Sequence, residues 1–137
     1  MNILFFLKPK SDVAYIYDYH TLRQVLEIME YHKYSSIPML NKDGEYVGTI
    51  TEGDLLWSLK KWDLFHIKDA EEISILKVDR KVDYQSVTAK SDMEDLIEKA
   101  MAQNFVPVVD DHNHFIGIIT RRDIIGYCYD KIKEKEV

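Results

Sequence analysis

The stretch Pro38 to Leu56 recurs as Pro107 to Ile125, at a constant offset of 69 residues and without a gap. Pro, Gly, Ile, Thr and Asp hold matching places, and most other apolar positions of one copy meet apolar positions of the other. This is an internal repeat, and two copies are too few for a solenoid. The chain is expected to form a domain of two similar halves related by a pseudo-two-fold axis.

Each copy reads as strand, turn, strand, helix. Met39-Leu40 and Val108-Val109 are short apolar strands. Asn41-Lys42-Asp43-Gly44 is a turn, because Asn and Asp bond their own backbone and Gly takes a positive φ cheaply. Asp110-Asp111-His112-Asn113 plays the same part, with Asn113 in the Gly place. Tyr46–Thr51 and Phe115–Thr120 return as the second strands of β-hairpins. Gly48 and Gly117 inside those strands point to a bulge or a close approach by a ligand or other backbone. Helices start near Asp54 and Asp123. The first should run on through Trp57 to Trp62, with at least one tryptophan meeting a partner surface or the linker.

An earlier helix precedes each hairpin. Thr21 is its expected cap in the first copy, with Leu22, Val25, Leu26 and Met29 at helical spacing. Ser91 or Asp92 begins its counterpart, with Met93, Leu96, Ile97 and Ala100. These helices align at an offset of about 71, so the second copy lacks roughly two residues before its Pro. Upstream lie short β-like runs, Val13–Tyr17 and Gln85–Thr88. The unit is β-α-β-β-α, made twice, and the fold class is α+β with small sheets packed against helices.

The unit resembles the cystathionine-β-synthase-type (CBS) domain, and the pair resembles a Bateman module. The features are the amphipathic helix, Ser36-Ile37-Pro38, the turn, and the repeated Gly-hydrophobic-x-Thr-x-x-Asp. That motif reads Gly48-Thr49-Ile50-Thr51-Glu52-Gly53-Asp54 and Gly117-Ile118-Ile119-Thr120-Arg121-Arg122-Asp123. The division is residues 1–62 for the first repeat with an N-terminal arm, 63–84 for a packed connector, and 85–137 for the second repeat. The resemblance implies that Ile3–Leu7 packs across the other half. It also implies an adenine nucleotide (AMP, ADP, ATP or a cyclic dinucleotide) in a cleft between the repeats. Asp54 and Asp123 would hold ribose hydroxyls, and Thr51 and Thr120 ribose or phosphate. Backbone groups of Ala14-Tyr15-Ile16 and Ser86-Val87-Thr88 would meet the adenine edge. Such modules commonly form homodimers through helix faces, here Leu55-Leu56 with Leu59 and Ile124-Ile125 with Tyr127 and Cys128.

Residue chemistry frames these expectations. An Asp at a strand-to-helix junction is explained by capping alone, and capping is compatible with a nucleotide, because a helix N-terminus also favours phosphate. Arg121 and Arg122 suit phosphate oxygens, whereas Glu52 at the matching place repels them. Phosphates should therefore lean on the second copy; the alternative is that the arginines are solvated or pair with acids of a dimer mate. Tyr15, Tyr17 and Tyr19 alternate and share one side of a strand, as a packed sheet face or as an adenine pocket. His112 and His114 sit in a turn without a ligand cluster, so a metal is not expected.

A net charge of −6 argues against nucleic acid and against an anionic membrane surface as partners. Cys128 is alone, which excludes an internal disulfide. Residues 63 to 84 hold no Gly or Pro and read as packed, not as a flexible tether. Ile3–Leu7 is too short and wrongly flanked for a leader, and no run reaches the length of a membrane span, so the expected compartment is the cytosol. No phosphate loop, dinucleotide fingerprint, nucleophile elbow or zinc-protease motif is present. The reading is a non-catalytic energy or second-messenger sensor that requires no cofactor and acts through its own assembly or on a protein target in trans. The alternative is a dimeric scaffold with no nucleotide.

Overall fold

The computed structural model describes residues 2–64 and 66–136. Ala14–Asp83 forms one compact unit, and the residues before Ala14 and after Asp83 form the other. The units cut across the repeat. The N-terminal arm lies with the second copy, and the connector lies with the first.

In the order of the chain, the strands are β1 (Lys8–Pro9), β2 (Ile16–Tyr17), β3 (Ser36–Leu40), β4 (Tyr46–Thr51), β5 (Phe105–Val109) and β6 (Phe115–Thr120). The helices are α1 (Leu22–His32), α2 (Glu52–Lys61), α3 (Met93–Ala102) and α4 (Arg121–Lys135). Ala14–Asp83 carries the sheet β2-β3-β4, and the other unit carries β1-β6-β5. The hairpins β3–β4 and β5–β6 pair antiparallel in equivalent registers. Both shift register next to the repeated glycine, between Met39 and Leu40 and between Val108 and Val109.

Local chemistry explains the elements. Thr21 caps α1 in a reciprocal box: its Oγ1 accepts the Gln24 N–H, and Gln24 Oε1 accepts the Thr21 N–H. Asp92 caps α3 by accepting the Asp95 N–H. The hairpin turns repeat one device. Asn41 Oδ1 accepts the N–H groups of Asp43 and Glu45 at 3.0 Å, and Asp110 Oδ1 accepts those of His112 and His114 at 2.9 Å. Gly44 and Asn113 then take positive φ, 84° and 66°. The His114 N–H, foremost, holds the Asp110 carboxyl below the usual carboxylate range.

Each unit buries its own core. In Ala14–Asp83, Leu22, Val25 and Met29 of α1 meet Ile37, Met39 and Ile50 of the sheet and Leu55 of α2. Ala70, Ile75 and Val78 of the connector complete this core, so the connector is packed. Two 3-10 turns, Ile67–Glu72 and Ile75–Lys77, carry it past α1. In the other unit, Leu96, Val106, Val108, Ile119 and Ile124 enclose Ile3 of the arm, with Cys128 packed at the edge. Fully burying an aliphatic side chain is worth about 1.5–3 kcal/mol.

Three expectations need correction. The upstream runs are shorter than Val13–Tyr17 and 85–88. Only Ile16 and Tyr17 form a ladder, and only Val87 bridges to β5. The backbone of Gln85 is taken instead by the Gln103 side chain, which accepts its N–H at 2.8 Å and donates to its carbonyl at 3.1 Å. The helices after each hairpin begin at Glu52 and Arg121, two residues before Asp54 and Asp123, so the aspartates are not the caps. Thr51 and Thr120 are the caps, since each hydroxyl oxygen reaches the N–H three residues on. Finally, α2 ends at Lys61: Trp62 is its C-cap and packs on the core, while Trp57 is exposed.

Candidate functional site

The repeated motif builds two strand-to-helix junctions. At the first, Thr51 Oγ1 accepts the Asp54 N–H at 3.1 Å, and Asp54 Oδ2 accepts the Thr51 N–H at 3.0 Å. The remaining oxygen, Oδ1, accepts the Lys81 N–H of the connector at 3.0 Å. Asp54 is only 3% exposed. Its neighbour in the connector, Arg80, lays its guanidinium against Gly48. A methyl group added at Gly48 would sit 2.8 Å from the guanidinium carbon. Arg80 Nε is in turn 3.0 Å from an Asp83 carboxylate oxygen, and the Arg80 side chain is 24% exposed.

The second junction is open. Thr120 Oγ1 accepts the Asp123 N–H at 3.2 Å, but no reciprocal bond to the Thr120 N–H closes the box. Asp123 is exposed, and its carboxylate has no hydrogen-bond or ion-pair partner among the described residues. Arg122 is likewise exposed. Arg121 is committed elsewhere: its Nε donates to the carbonyls of Ala100 at 2.8 Å and Gln103 at 2.9 Å. A guanidinium there satisfies carbonyls that the end of α3 leaves over, and its charge suits the negative pole of that helix. The pair expected at phosphate is therefore split, with Arg122 at the surface and Arg121 holding α3. Gly117 is covered too, but by backbone: a methyl group there would meet the Lys8 carbonyl oxygen at 2.1 Å, where β1 pairs with β6.

The upstream segments bring other groups. Ala14 donates its N–H to the Tyr34 hydroxyl at 3.4 Å, and Ile16 is fully buried. Tyr15 meets Tyr17 edge-on, and Tyr17 stacks on Tyr19 with ring centres 4.9 Å apart. The tyrosines pack on one another, and burial, foremost, pushes the Tyr15 phenol above its ordinary pKa. His20 Nδ1 accepts the Tyr17 N–H at 3.0 Å, and burial holds this imidazole below its ordinary pKa. Val87 spends both backbone groups on β5, at 2.9 Å each. Thr88 donates its N–H to Ser91 Oγ and accepts the Lys90 N–H. Ser86 is half-buried.

Thus the structure groups Thr51 and Asp54 with Lys81 and Arg80, and Thr120 with Asp123. Arg80 and Lys81 belong to no motif of the sequence, and sequence reasoning misses them. Their one trace was Gly48, whose place inside a strand signals close approach. Among the described residues no group of three or more His, Cys, Asp and Glu side chains is placed to hold a metal ion.

Helix faces form grooves in both units. Between α3 and α4 a groove of about 600 Å³ is lined by Ile97, Met101, Ile124, Ile125, Tyr129 and Ile132, with Met101 78% exposed. The groove between α1 and α2, about 470 Å³, is edged by Glu27, Glu30 and Glu52, and Ile67 of the connector borders it.

The family profile of the CBS domain matches this chain twice, over residues 6–61 and 77–130. The chain belongs to the CBS-domain family. Each matched stretch carries one of the two junctions above. An uncharacterized protein of Methanocaldococcus jannaschii is 30% identical over 144 residues, which is 96% of this chain and 51% of the relative. The CBS chain thus spans about half the length of that relative. Among solved structures, CbpB in complex with c-di-AMP superposes with a TM-score of 0.82 and 25% identity, over 99% of this chain and 89% of the other. CBSX2 in complex with AMP superposes at 0.73 and 19% identity, over 96% and 98% of the two chains, a likeness of fold alone. Among the described residues no helix is long and apolar enough to cross a membrane.

Proposed function

We infer that this CBS pair is a non-catalytic regulatory module that binds an adenine nucleotide, through Thr120, Arg122 and Asp123 before Thr51 and Asp54. The observation that carries the reading is the open second junction. An exposed carboxylate without a partner can accept the hydroxyl protons of a ribose, and the N-terminus of α4 beside Arg122 favours phosphate. The likeness to CbpB, a c-di-AMP complex, supports a cyclic dinucleotide as well as AMP among the ligands to test. The segments Ala14–Ile16 and Ser86–Thr88 remain the places for the adenine edge. Binding would act by differential affinity for two states of the module.

The apolar groove of α3 and α4 favours a homodimer as the assembly that responds, with a protein target in trans. It also keeps the nucleotide-free scaffold as the second reading. Thermal unfolding with AMP, ADP, ATP and c-di-AMP separates the two. A ligand at about 100 times its dissociation constant adds roughly 2.7 kcal/mol, a shift of several degrees in a chain of this size. The sensor reading expects a shift with at least one nucleotide, lost in Asp123→Ala. The absence of any shift at millimolar concentration contradicts it and leaves the scaffold.

A further inference from the structure

We propose that Arg80 and Lys81 form a latch on the first junction, so that nucleotide enters at Thr120–Asp123 and reaches Thr51–Asp54 only when the latch lifts. This rests on the nucleotide reading for its ligand, but not for its geometry.

Three observations converge on the connector. Asp54 is the matching residue to Asp123, yet it is buried, and each of its oxygens already accepts a backbone N–H, one from Thr51 and one from Lys81. The Lys81 bond has no part in capping α2; it ties the connector to the junction. Next to it, the Arg80 guanidinium occupies the space that the missing side chain of Gly48 leaves free. Finally, this guanidinium is held by Asp83, an exposed carboxylate three residues along the same segment, which aims the side chain without anchoring it in a core.

The offset of 71 that relates α1 to α3 also relates Lys8 to Asp79 and Pro9 to Arg80. Segments at equivalent distances before each copy thus cover the two repeated glycines. Lys8 and Pro9 do so as a strand, with backbone against Gly117. Asp79–Lys81 does so with one side chain and one N–H. A strand pairing is a permanent part of a sheet, whereas this cover lifts at the cost of the Arg80–Asp83 ion pair and of the Lys81 N–H bond to Asp54. The first junction is therefore built to open, and its apparent affinity is its intrinsic affinity reduced by the fraction of time it is open.

Gly48→Ala is the natural test, because the added methyl would collide with the mobile end of Arg80 and not with backbone. Arg80→Ser removes the same cover without touching the strand. Amide hydrogen exchange at Lys81 reads the latch without any ligand. The latch predicts a protected Lys81 amide in the unchanged protein, exchanging at least tenfold faster in both variants, while the Val87 amide is unmoved. A Lys81 amide that exchanges at the rate of a solvent-exposed group in the unchanged protein overturns the proposal, whatever the nucleotides do. Calorimetric titration with AMP, and separately with c-di-AMP, then counts sites. The expected result is one site lost on Asp123→Ala in the unchanged protein, and a second, Asp54-dependent site in Gly48→Ala and Arg80→Ser. Equal site numbers in all three forms, with binding present, also overturn the latch. Should none of them bind either nucleotide, the nucleotide reading falls, and Lys81 exchange alone decides the latch.

Discussion

Thr51-Glu52-Gly53-Asp54 and Thr120-Arg121-Arg122-Asp123 are the same motif with opposite fates. Both threonines cap a helix, and both aspartates stand at its third position. Asp54 is then closed into a capping box and sealed by the connector, while Asp123 is left in solvent. The difference does not come from the aspartates. It comes from the matching segments upstream of α1 and α3: Asp79–Lys81 reaches the first junction as far as Asp54, while Lys8–Pro9 pairs with β6 at Ile118 and Gly117. A duplicated motif therefore predicts a duplicated backbone, and it does not predict duplicated availability.

The largest effect that should separate the copies is at the glycines. Gly117→Ala is expected to cost about 3–5 kcal/mol, because the methyl would strike Lys8 backbone and φ there is +155°. Gly48→Ala should cost under about 1 kcal/mol, because only the end of a side chain must move. Denaturant unfolding of the two variants measures both, and equal losses would erase the distinction. Next come the aspartates. Asp54→Ala removes a buried acceptor from two N–H groups and should cost about 2–3 kcal/mol, whereas exposed Asp123→Ala should stay within about 0.5 kcal/mol. A smaller effect belongs to Arg121. Its loss as Arg121→Ala should cost about 1–2 kcal/mol, and Arg121→Lys should recover less than half, since an ammonium lacks the planar fork. Removing Glu52, its counterpart, should leave stability unchanged in the same assay.

The smallest effect is with pH. Burial lowers the folded-state pKa of His20, so the unfolded chain binds more protons across that window. Stability at this site is present above about pH 6.5, the ordinary histidine value, and is lost as pH falls toward the folded value. Protonating Nδ1 would also break the bond from Tyr17. The unfolding midpoint should fall with acidification and do so less in His20→Asn; a pH profile identical in the two proteins would remove His20 from the account.

Much of this was legible in the sequence because it is local. The turn pairs Asn41–Gly44 and Asp110–Asn113, the cap at Thr21 and the start of α3 all follow from side chains acting within four residues of themselves. The family also followed, since Gly-hydrophobic-x-Thr-x-x-Asp occurs twice in register. What stayed hidden is long-range. Nothing in the repeat says that Lys81 donates to Asp54 across 27 residues, or that Arg121 turns back to Ala100. The Gln85 N–H finds Gln103 instead of a strand, and the equivalent Ala14 N–H finds Tyr34, so one structural need is met by two unlike residues at matching places of the repeat, four before each Pro. Gly48 and Gly117 did announce close neighbours, but a missing side chain cannot name them.

The most direct test is a titration with AMP and with c-di-AMP followed by amide chemical shifts. The amides of Arg121 to Ile124 should move first, and those of Glu52 to Leu55 only at higher concentration, or at once in Gly48→Ala. Shifts that begin at Glu52 to Leu55, or that appear at both junctions together in the unchanged protein, would contradict this order.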